Sequence, residues 1–228
     1  MTPALYLVPA ALGGAPARVL PAPTIETVRA LRDFAVENAK SARAFLAALG
    51  MPCPLRELGI VALDADGAAL LAPLRAGRSL GVIAEAGCPG VADPGQALAA
   101  AAHAEGFRVV PLVGPSSPLL ALMASGLEGQ RFAFRGYLPR DTVGRAQRIR
   151  TLEKVSREAR ETQIFIETPY RNDVLLGALL ACCAPDTRLC VAIDLTLPGE
   201  EIATRSIAQW RRARAVIGRR PAVFLLLA

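Results

Sequence analysis

The chain has 228 residues, of which 53% are hydrophobic and 20% are charged, enough for a buried core in one large domain or two small ones. No run reaches the roughly 18 uninterrupted apolar residues of a membrane span, and the apolar start from Met1 to Pro9 carries no charged leader. We therefore expect a cytoplasmic protein without a membrane partner. The net charge of +6 favours an anionic partner only weakly, and five cysteines without a Cys-x-x-Cys pair predict reduced thiols and no metal site.

The first half of the chain alternates apolar runs with helical stretches. This alternation predicts a mainly parallel sheet with helices on its faces. The predicted strands are Ala4–Val8, Phe34–Glu37, Leu58–Leu63, Leu80–Ala84 and Phe107–Val113, and the predicted helices are Thr24–Arg32, Ser41–Leu49, Gly67–Arg75 and Pro94–Glu105.

The loop after the strand Leu80–Ala84 is rich in residues that shape a tight backbone. The segment Glu85–Gly95 holds three glycines and two prolines, and we predict Asp93 as N-cap and Pro94 as first residue of the next helix. Such a loop brings main chain to the carboxyl end of a strand, where open α/β sheets bind ligands. A cofactor site and a plain strand-to-helix turn are both open, and the absence of the Gly-x-Gly-x-x-Gly and Walker signatures argues against a nicotinamide site and a P-loop.

A second loop of the same kind, Gly114-Pro115-Ser116-Ser117, follows the last strand of this half. Its two hydroxyls could cap the following helix or bond the polar groups of a ligand. Two such loops at strand ends favour one shared site.

The second half has a different pattern, because consecutive strands follow one another without an intervening helix. That succession predicts antiparallel pairing in an α+β lobe. We expect two lobes, 1–115 and 116–228, with a ligand cleft between them. The predicted strands are Arg131–Tyr137, Gln163–Glu167, Arg188–Leu195, Glu201–Arg205 and Ala222–Leu227, and the predicted helices are one that ends at Ala124, Thr142–Arg160 and Asn172–Cys183.

Two strand ends of this half carry acidic side chains. Glu167 precedes Thr168-Pro169-Tyr170-Arg171, and Asp194 ends the next strand, so that each is either a ligand contact or part of an exposed turn. Residues 135–160 hold eight basic side chains against three acidic ones, and residues 211–220 hold five arginines. A solvated helix face and RNA phosphate binding are both compatible with these stretches.

In order along nearly the whole chain, these motifs resemble those of the tetrapyrrole methylase superfamily, the class III S-adenosylmethionine-dependent methyltransferases. The branch that the chain resembles most is ribosomal RNA small subunit methyltransferase I. The matching segments are Leu5–Pro9, Glu37-Asn38 with Ser41–Arg43, Glu85–Gly95, Gly114–Ser117, Ser125–Leu127, Phe134–Arg140, Glu167–Arg171 and Asp194–Thr196.

The resemblance implies an α/β fold of two lobes, with a mainly parallel N-terminal sheet, a mixed C-terminal sheet and S-adenosylmethionine in the cleft, in a protein that is usually a homodimer. It also implies methyl transfer, in the nearest branch to a ribose 2′-oxygen of small-subunit ribosomal RNA. Matched position by position, the cofactor contacts of the family fall on Pro9, Ala86, Gly87, Cys88, Val91, Ser116, Ser117 and Glu167.

The chain departs from this branch at several positions. Where the branch has Thr-Pro-Ile-Gly-Asn, the chain has Ala10–Gly14, and Asn38-Ala39-Lys40 replaces Asp-Thr-Arg. Glu85 and Cys88 replace an aspartate and a threonine. We expect these departures to affect specificity for ribosomal RNA more than binding of the cofactor.

We carry three functional hypotheses. The first is methyl transfer to RNA, in which the protein mainly aligns an acceptor with an already activated methyl group. A ribose hydroxyl would gain from a general base, for which Glu37, Glu167 and Asp194 are candidates. The alternatives are methylation of a tetrapyrrole, and an RNA-binding paralogue that kept the fold and lost the chemistry.

Overall fold

The computed structural model of the chain describes residues 2–63 and 67–228, so that Met1, the first residue of the predicted apolar start, lies outside the described part. The chain divides into two compact units, one ending at Ser116 and the other spanning Ser117–Ala228. In the described part each unit has its own five-stranded sheet.

The first unit is built on a parallel sheet with the strand order β3-β2-β4-β1-β5. Every pair of neighbours in it is parallel, which confirms the predicted mainly parallel sheet. Its elements are β1 Ala4–Val8, α1 Ala22–Ala30, β2 Asp33–Val36, α2 Ala39–Ala48, β3 Gly59–Ala62, α3 Gly67–Leu70, α4 Ala72–Arg75, β4 Leu80–Ile83, α5 Gln96–Ala104 and β5 Arg108–Pro111.

Helices cover both faces of this sheet, as a buried parallel sheet requires. Phe34 and Val36 belong to the hydrophobic cluster on one face, whereas Ala35, one residue away, belongs to the cluster on the other. Val28 of α1 and Leu46 of α2 complete the first cluster. Residues from α3, α4 and α5 complete the second, so that the alternation along β2 separates two cores.

Two local predictions in this unit are wrong. The predicted helix Gly67–Arg75 is two short helices, α3 and α4, because Pro73 begins a new turn near the start of α4 and has no N–H to continue the earlier one. The helix α5 begins at Gln96 rather than Pro94, and its N-cap is Gly95 with φ +129°, not Asp93. The Gly90 N–H donates to the Pro94 carbonyl at 3.1 Å, which keeps Pro94 in the preceding turn.

The second unit has a mixed sheet with the order β6-β7-β10-β8-β9. The pair β6 and β7 is parallel and the other three pairs are antiparallel, which confirms the mixed sheet implied for this half. Its elements are α6 Ser117–Ser125, β6 Phe132–Tyr137, α7 Thr142–Ala159, β7 Thr162–Ile166, α8 Asn172–Cys182, β8 Arg188–Ile193, β9 Glu201–Ser206, α9 Ile207–Ala213 and β10 Ala222–Leu227.

Helix α9 follows β9 directly and was not predicted. It begins with a capping box, in which the Ser206 side chain accepts the Gln209 N–H and the Gln209 side chain accepts the Ser206 N–H. This Ser-x-x-Gln spacing is a helix-start signal that the sequence does carry. Among the residues that the structure describes, no helix has both the length and the hydropathy to cross a bilayer.

The core of the second unit forms around two phenylalanines on neighbouring central strands. Phe165 of β7 and Phe224 of β10 stand opposite each other in register, and their rings stack with centroids 6.0 Å apart. Both are fully buried, and residues of α7, α8 and α9 pack into the same cluster. This pair therefore joins the sheet to the helices on one of its faces.

Replacing Phe224 with alanine is expected to lower the free energy of unfolding by about 3–5 kcal/mol, because a fully buried ring leaves a cavity beside Phe165. Phe132→Ala on the edge strand β6, where the ring is 41% exposed, is the matched control and should lose roughly 1 kcal/mol or less. Urea unfolding followed by circular dichroism measures both. Equal losses would contradict this placement of the core.

Candidate functional site

The carboxyl ends of β1 and β4 meet where the connections of the sheet diverge. These strands are neighbours, yet β1 leads through α1 to β2 on one side and β4 leads through α5 to β5 on the other. Such a switch point opens a crevice at the carboxyl edge of a parallel sheet, and ligands of open α/β folds bind there. The loops after β1 and β4 are therefore the candidate site of the first unit.

Two main-chain hydrogen bonds join these loops. The Ala10 N–H donates to the Gly87 carbonyl at 2.8 Å, and the Gly87 N–H donates to the Ala10 carbonyl at 3.1 Å. Gly87 has φ +70°, a conformation that L side chains rarely adopt. Since both polar main-chain groups of Gly87 are engaged with Ala10, its first role is to hold the loop in shape. Its contact with a cofactor stays a prediction.

The loop after β5 lies against the same place. A Cβ built on Gly114 would stand 2.3 Å from Cγ of Pro9, so that only glycine permits this approach. The Cys88 thiol donates to the Pro115 carbonyl at 3.4 Å. Burial, and secondarily the charge of Asp93, raises the pKa of this thiol. The structure thus brings together Pro9, Gly87 and Cys88, three of the predicted cofactor contacts.

The other predicted contacts in this unit are less enclosed. Ala86 is half-buried beside the bridge, and Ser116 is half-buried directly after Pro115. Val91 lies on the outer side of its loop with 44% of its surface exposed. Exposure of an apolar side chain at this edge leaves it available to a ligand.

Three carboxyl groups gather at the same edge. Glu37 follows β2 and Glu85 follows β4, and the Glu85 N–H donates to Oε2 of Glu37 at 3.0 Å. The Ser41 hydroxyl donates to Oε1 of Glu85 at 2.9 Å. Burial, then the charges of Glu37 and Glu85, raises the pKa of Asp93 to about 6. We call Glu37, Glu85 and Asp93 the acidic cluster.

Sequence reasoning named Glu37 but missed Ser41, Glu85 and Asp93 as members of one site. The signal was present, since Glu37 and Glu85 each follow a buried strand and parallel neighbours end at the same edge. What was lacking was the strand order, which makes β2 and β4 neighbours. Within residues 2–63 and 67–228, no group of His, Cys, Asp and Glu side chains is arranged to hold a metal ion.

A pocket of about 250 Å³ opens beside Glu85 and Ser41. The segment Ala10–Gly14, where the chain departs from the branch that it resembles, contributes Ala10, Ala11, Gly13 and Gly14 to its wall. Other small side chains and the ring of Phe45 line the rest. The pocket is therefore mostly apolar, with a carboxylate and a hydroxyl at one side.

The remaining predicted site residues belong to the second unit. Ser117 begins α6, and Glu167 follows β7 with its side chain only 3% exposed. Oε1 of Glu167 accepts the Thr168 N–H at 2.8 Å, whereas Oε2 lies 3.3 Å from Nη2 of Arg171 without hydrogen-bond geometry. Glu167 and Arg171 therefore form an ion pair, although Oε2 accepts no hydrogen bond. Asp194 has φ +51° and lies 3.6 Å from Arg220.

The sequence matches the family model described as Tetrapyrrole (Corrin/Porphyrin) Methylases over residues 22–210. It is 35% identical over 207 residues to a ribosomal RNA small subunit methyltransferase I of Mesorhizobium japonicum, with 91% of this chain and 68% of the relative covered. It is 30% identical over 198 residues to the enzyme of the same name from Escherichia coli O157:H7, with 87% of this chain and 67% of the relative covered. It is 35% identical over 181 residues to the ribosomal RNA small subunit methyltransferase I of Xylella fastidiosa, with 79% of this chain and 65% of the relative covered. The chain thus spans about two thirds of the length of these curated relatives.

Solved structures share the fold at low sequence identity. A diphthine synthase superposes with a TM-score of 0.66 at 15% identity, covering 98% of this chain and 89% of its own. The methyltransferase CobJ superposes with a TM-score of 0.63 at 18% identity, and the alignment covers 99% of this chain and 94% of CobJ. A third structure is uroporphyrin-III C-methyltransferase from Thermus thermophilus, complexed with S-adenosyl homocysteine. Its TM-score is 0.61 at 18% identity, and the alignment covers 98% of this chain and 97% of that enzyme.

Gly114→Ala is expected to lower the free energy of unfolding by about 3 kcal/mol, because the rigid ring of Pro9 cannot move away from the new methyl group. The matched control is Gly177→Ala in α8, where a Cβ meets no atom within 4 Å and stability should rise by about 0.5–1 kcal/mol. Thermal and urea unfolding measure both. A neutral Gly114→Ala would show that the loops after β1 and β5 are not in contact.

Asp93→Asn is expected to stabilise the protein above pH 6 and to leave it unchanged near pH 4. Because the pKa of Asp93 is raised from 3.8 to about 6 on folding, the wild type loses stability as the pH rises between these values. The neutral amide avoids that loss. At pH 7.5 the free energy of unfolding of the variant should therefore exceed that of the wild type by roughly 1 kcal/mol, a value reduced for solvent screening because Asp93 is half-exposed. Urea unfolding at several pH values measures the difference, with exposed Glu57→Gln as control. A difference that does not change with pH would contradict the raised pKa.

Proposed function

The chain belongs to the tetrapyrrole methylase family, and we propose that it transfers a methyl group from S-adenosylmethionine to ribosomal RNA of the small subunit. Membership makes it an S-adenosylmethionine-dependent methyltransferase, and the acceptor is the proposed part. The observation that carries the proposal is the meeting of the loops after β1, β4 and β5 beside the acidic cluster.

The residues at this edge fit a positively charged cofactor. S-adenosylmethionine supplies a methyl group that its sulfonium already activates. The carboxylates of the acidic cluster favour such a cation, because opposite charges attract most strongly where solvent is partly excluded. We propose that Ala86, Cys88, Val91 and Ser116 contact the cofactor, while the bridge between Ala10 and Gly87 holds their loop in place.

The pocket beside Ser41 and Glu85 is our proposed place for the acceptor nucleoside. Its apolar wall suits a base, and the carboxylate and hydroxyl at its side suit the hydroxyl groups of a sugar. The enzymes named in the curated relatives act on ribosomal RNA, and this supports RNA over a tetrapyrrole as acceptor. The tetrapyrrole alternative has in its favour the family model, which is described by that substrate class, and the shared fold.

Among the three candidate bases, we propose Glu37. Its Oε2 accepts the Glu85 N–H, which orients the carboxylate at the strand-end edge and leaves Oε1 for a proton from the acceptor. Glu167 is engaged with Thr168 and Arg171, and Asp194 is paired with Arg220. Neither of these two is as available to an acceptor hydroxyl.

We further propose that the protein is a cytoplasmic homodimer. A ribosomal acceptor supports the compartment, since ribosomes are cytoplasmic in bacteria such as the relatives come from. Helix α6 exposes Leu119 and Met123, four residues apart and therefore on one face, with 48% and 81% of their surfaces open. A second copy of the chain would cover this apolar face.

Glu37→Gln is expected to lower methyl transfer by about 10²–10⁴-fold, because the amide cannot accept the proton of the attacking hydroxyl. Binding of S-adenosylmethionine should stay within a few-fold of the wild type. The measurement is incorporation of labelled methyl into small-subunit RNA from a strain that lacks this methylation, beside calorimetric binding of the cofactor. Exposed Glu57→Gln is the control and should keep full activity.

The same assay separates the alternatives. Cofactor binding without methylation of RNA, but with methylation of a uroporphyrinogen, would favour the tetrapyrrole hypothesis. RNA binding with neither cofactor binding nor methyl incorporation would favour the paralogue that lost the chemistry.

A further inference from the structure

The turn between β6 and α7 is the centre of a cluster of arginines that the proposed function does not use. The Arg140 carbonyl accepts from Nη1 of Arg145 at 2.9 Å and from Nη2 of Arg171 at 3.4 Å. Two guanidinium groups thus converge on one oxygen, although like charges repel. The Arg140 side chain itself is exposed at the same turn.

Arg145 is the least compensated charge of this cluster. Only 5% of the surface of Arg145 is exposed, and its Nε is buried without a hydrogen-bond partner. In the part of the chain that the structure describes, Arg145 forms no ion pair. A buried cation without a counter-ion is costly, so this site favours an anion from outside.

Two carboxylates face the cluster, and both are already engaged. Glu167 lies 3.3 Å from Arg171 and accepts the Thr168 N–H. Asp141 caps α7 by accepting the Gly144 N–H at 2.7 Å. Three guanidinium groups against two engaged carboxylates leave positive charge, to which the N-terminal end of the 18-residue helix α7 adds.

An exposed aromatic residue adjoins one of these arginines in the chain. Tyr170 precedes Arg171 in a short 3-10 turn and has 67% of its surface open. Proteins that bind single-stranded nucleic acid combine positive charge for the backbone with exposed rings on which bases stack. The cluster has both parts, because Arg171, the neighbour of Tyr170 in the chain, contacts the Arg140 carbonyl.

We propose that Arg140, Arg145, Arg171 and Tyr170 bind a phosphate and the adjoining base of a single-stranded RNA segment. Arg140 and Arg171 contact the phosphate, Arg145 supplies charge and holds the turn through the Arg140 carbonyl, and Tyr170 stacks on the base. The inference rests on the proposed function for its choice of RNA, and names where that RNA is held.

The first test compares Arg140→Gln with Arg150→Gln. Both arginines are exposed, and Arg150 lies in α7 away from the turn, so that it controls for loss of one positive charge. We expect Arg140→Gln to weaken binding of a short fluorescent single-stranded RNA several-fold and to reduce the slope of log affinity against log salt by about 0.7, one phosphate contact. Arg150→Gln should stay close to wild type. Equal effects of the two would mean diffuse attraction and would overturn the proposal.

The second test separates stacking from charge. Tyr170→Ala should weaken binding of the same RNA roughly tenfold with an unchanged salt slope, whereas Tyr170→Phe should bind like the wild type. Wild-type affinity of Tyr170→Ala would overturn the role of the ring. All three substituted side chains are exposed, so the fold should be kept in each variant, and circular dichroism checks this.

Methyl incorporation measured in parallel distinguishes the two proposals. If the wild type transfers no methyl group to RNA, the proposed function fails, while the contrast between Arg140→Gln and Arg150→Gln still decides the binding site. If the wild type methylates RNA and Arg140→Gln binds and methylates like it, only the arginine cluster is refuted.

Discussion

Two hydrogen bonds between Ala10 and Gly87 are the contact on which the rest of the first unit's site depends. They join the loops of two parallel strands at the point where the chain turns away from each strand in opposite directions. Pro9 is then fixed against Gly114, and Cys88 reaches the Pro115 carbonyl. The positions of Pro9 and Gly87, two of the predicted cofactor contacts, therefore follow from backbone geometry.

The acidic cluster is a second consequence of the same sheet. Because β2 and β4 are neighbours, Glu37 and Glu85 end at one edge, and the main chain of Glu85 orients the Glu37 carboxylate. Their negative charges act on Asp93 together with burial. The strand order thus determines an electrostatic environment that suits a cation, and the pocket beside Ser41 adds an apolar wall to it.

Much of the fold was readable in the sequence because each signal was local. The strands β1 and β10 were predicted to the residue, since apolar runs bounded by turn residues define both. The start of α5 was not, because Asp93 and Pro94 form a good helix start by propensity, and the bond from Gly90 to the Pro94 carbonyl overrides that preference. Within the site, motifs led to Pro9, Gly87 and Cys88. The association of Ser41 with Glu85, 44 residues apart, depends on strand order and could not be read from any window of sequence.

The contact of Cys88 with the Pro115 carbonyl has a chemical consequence. Peroxides and electrophiles attack the thiolate form of cysteine, and the raised pKa of Cys88 keeps this sulfur in the thiol form at neutral pH. The threonine of the branch is inert to such reagents, whereas the cysteine that replaces it places an oxidisable sulfur in the loop. Burial and the charge of Asp93 therefore slow the reaction of this sulfur with oxidants, because they keep it out of its reactive form.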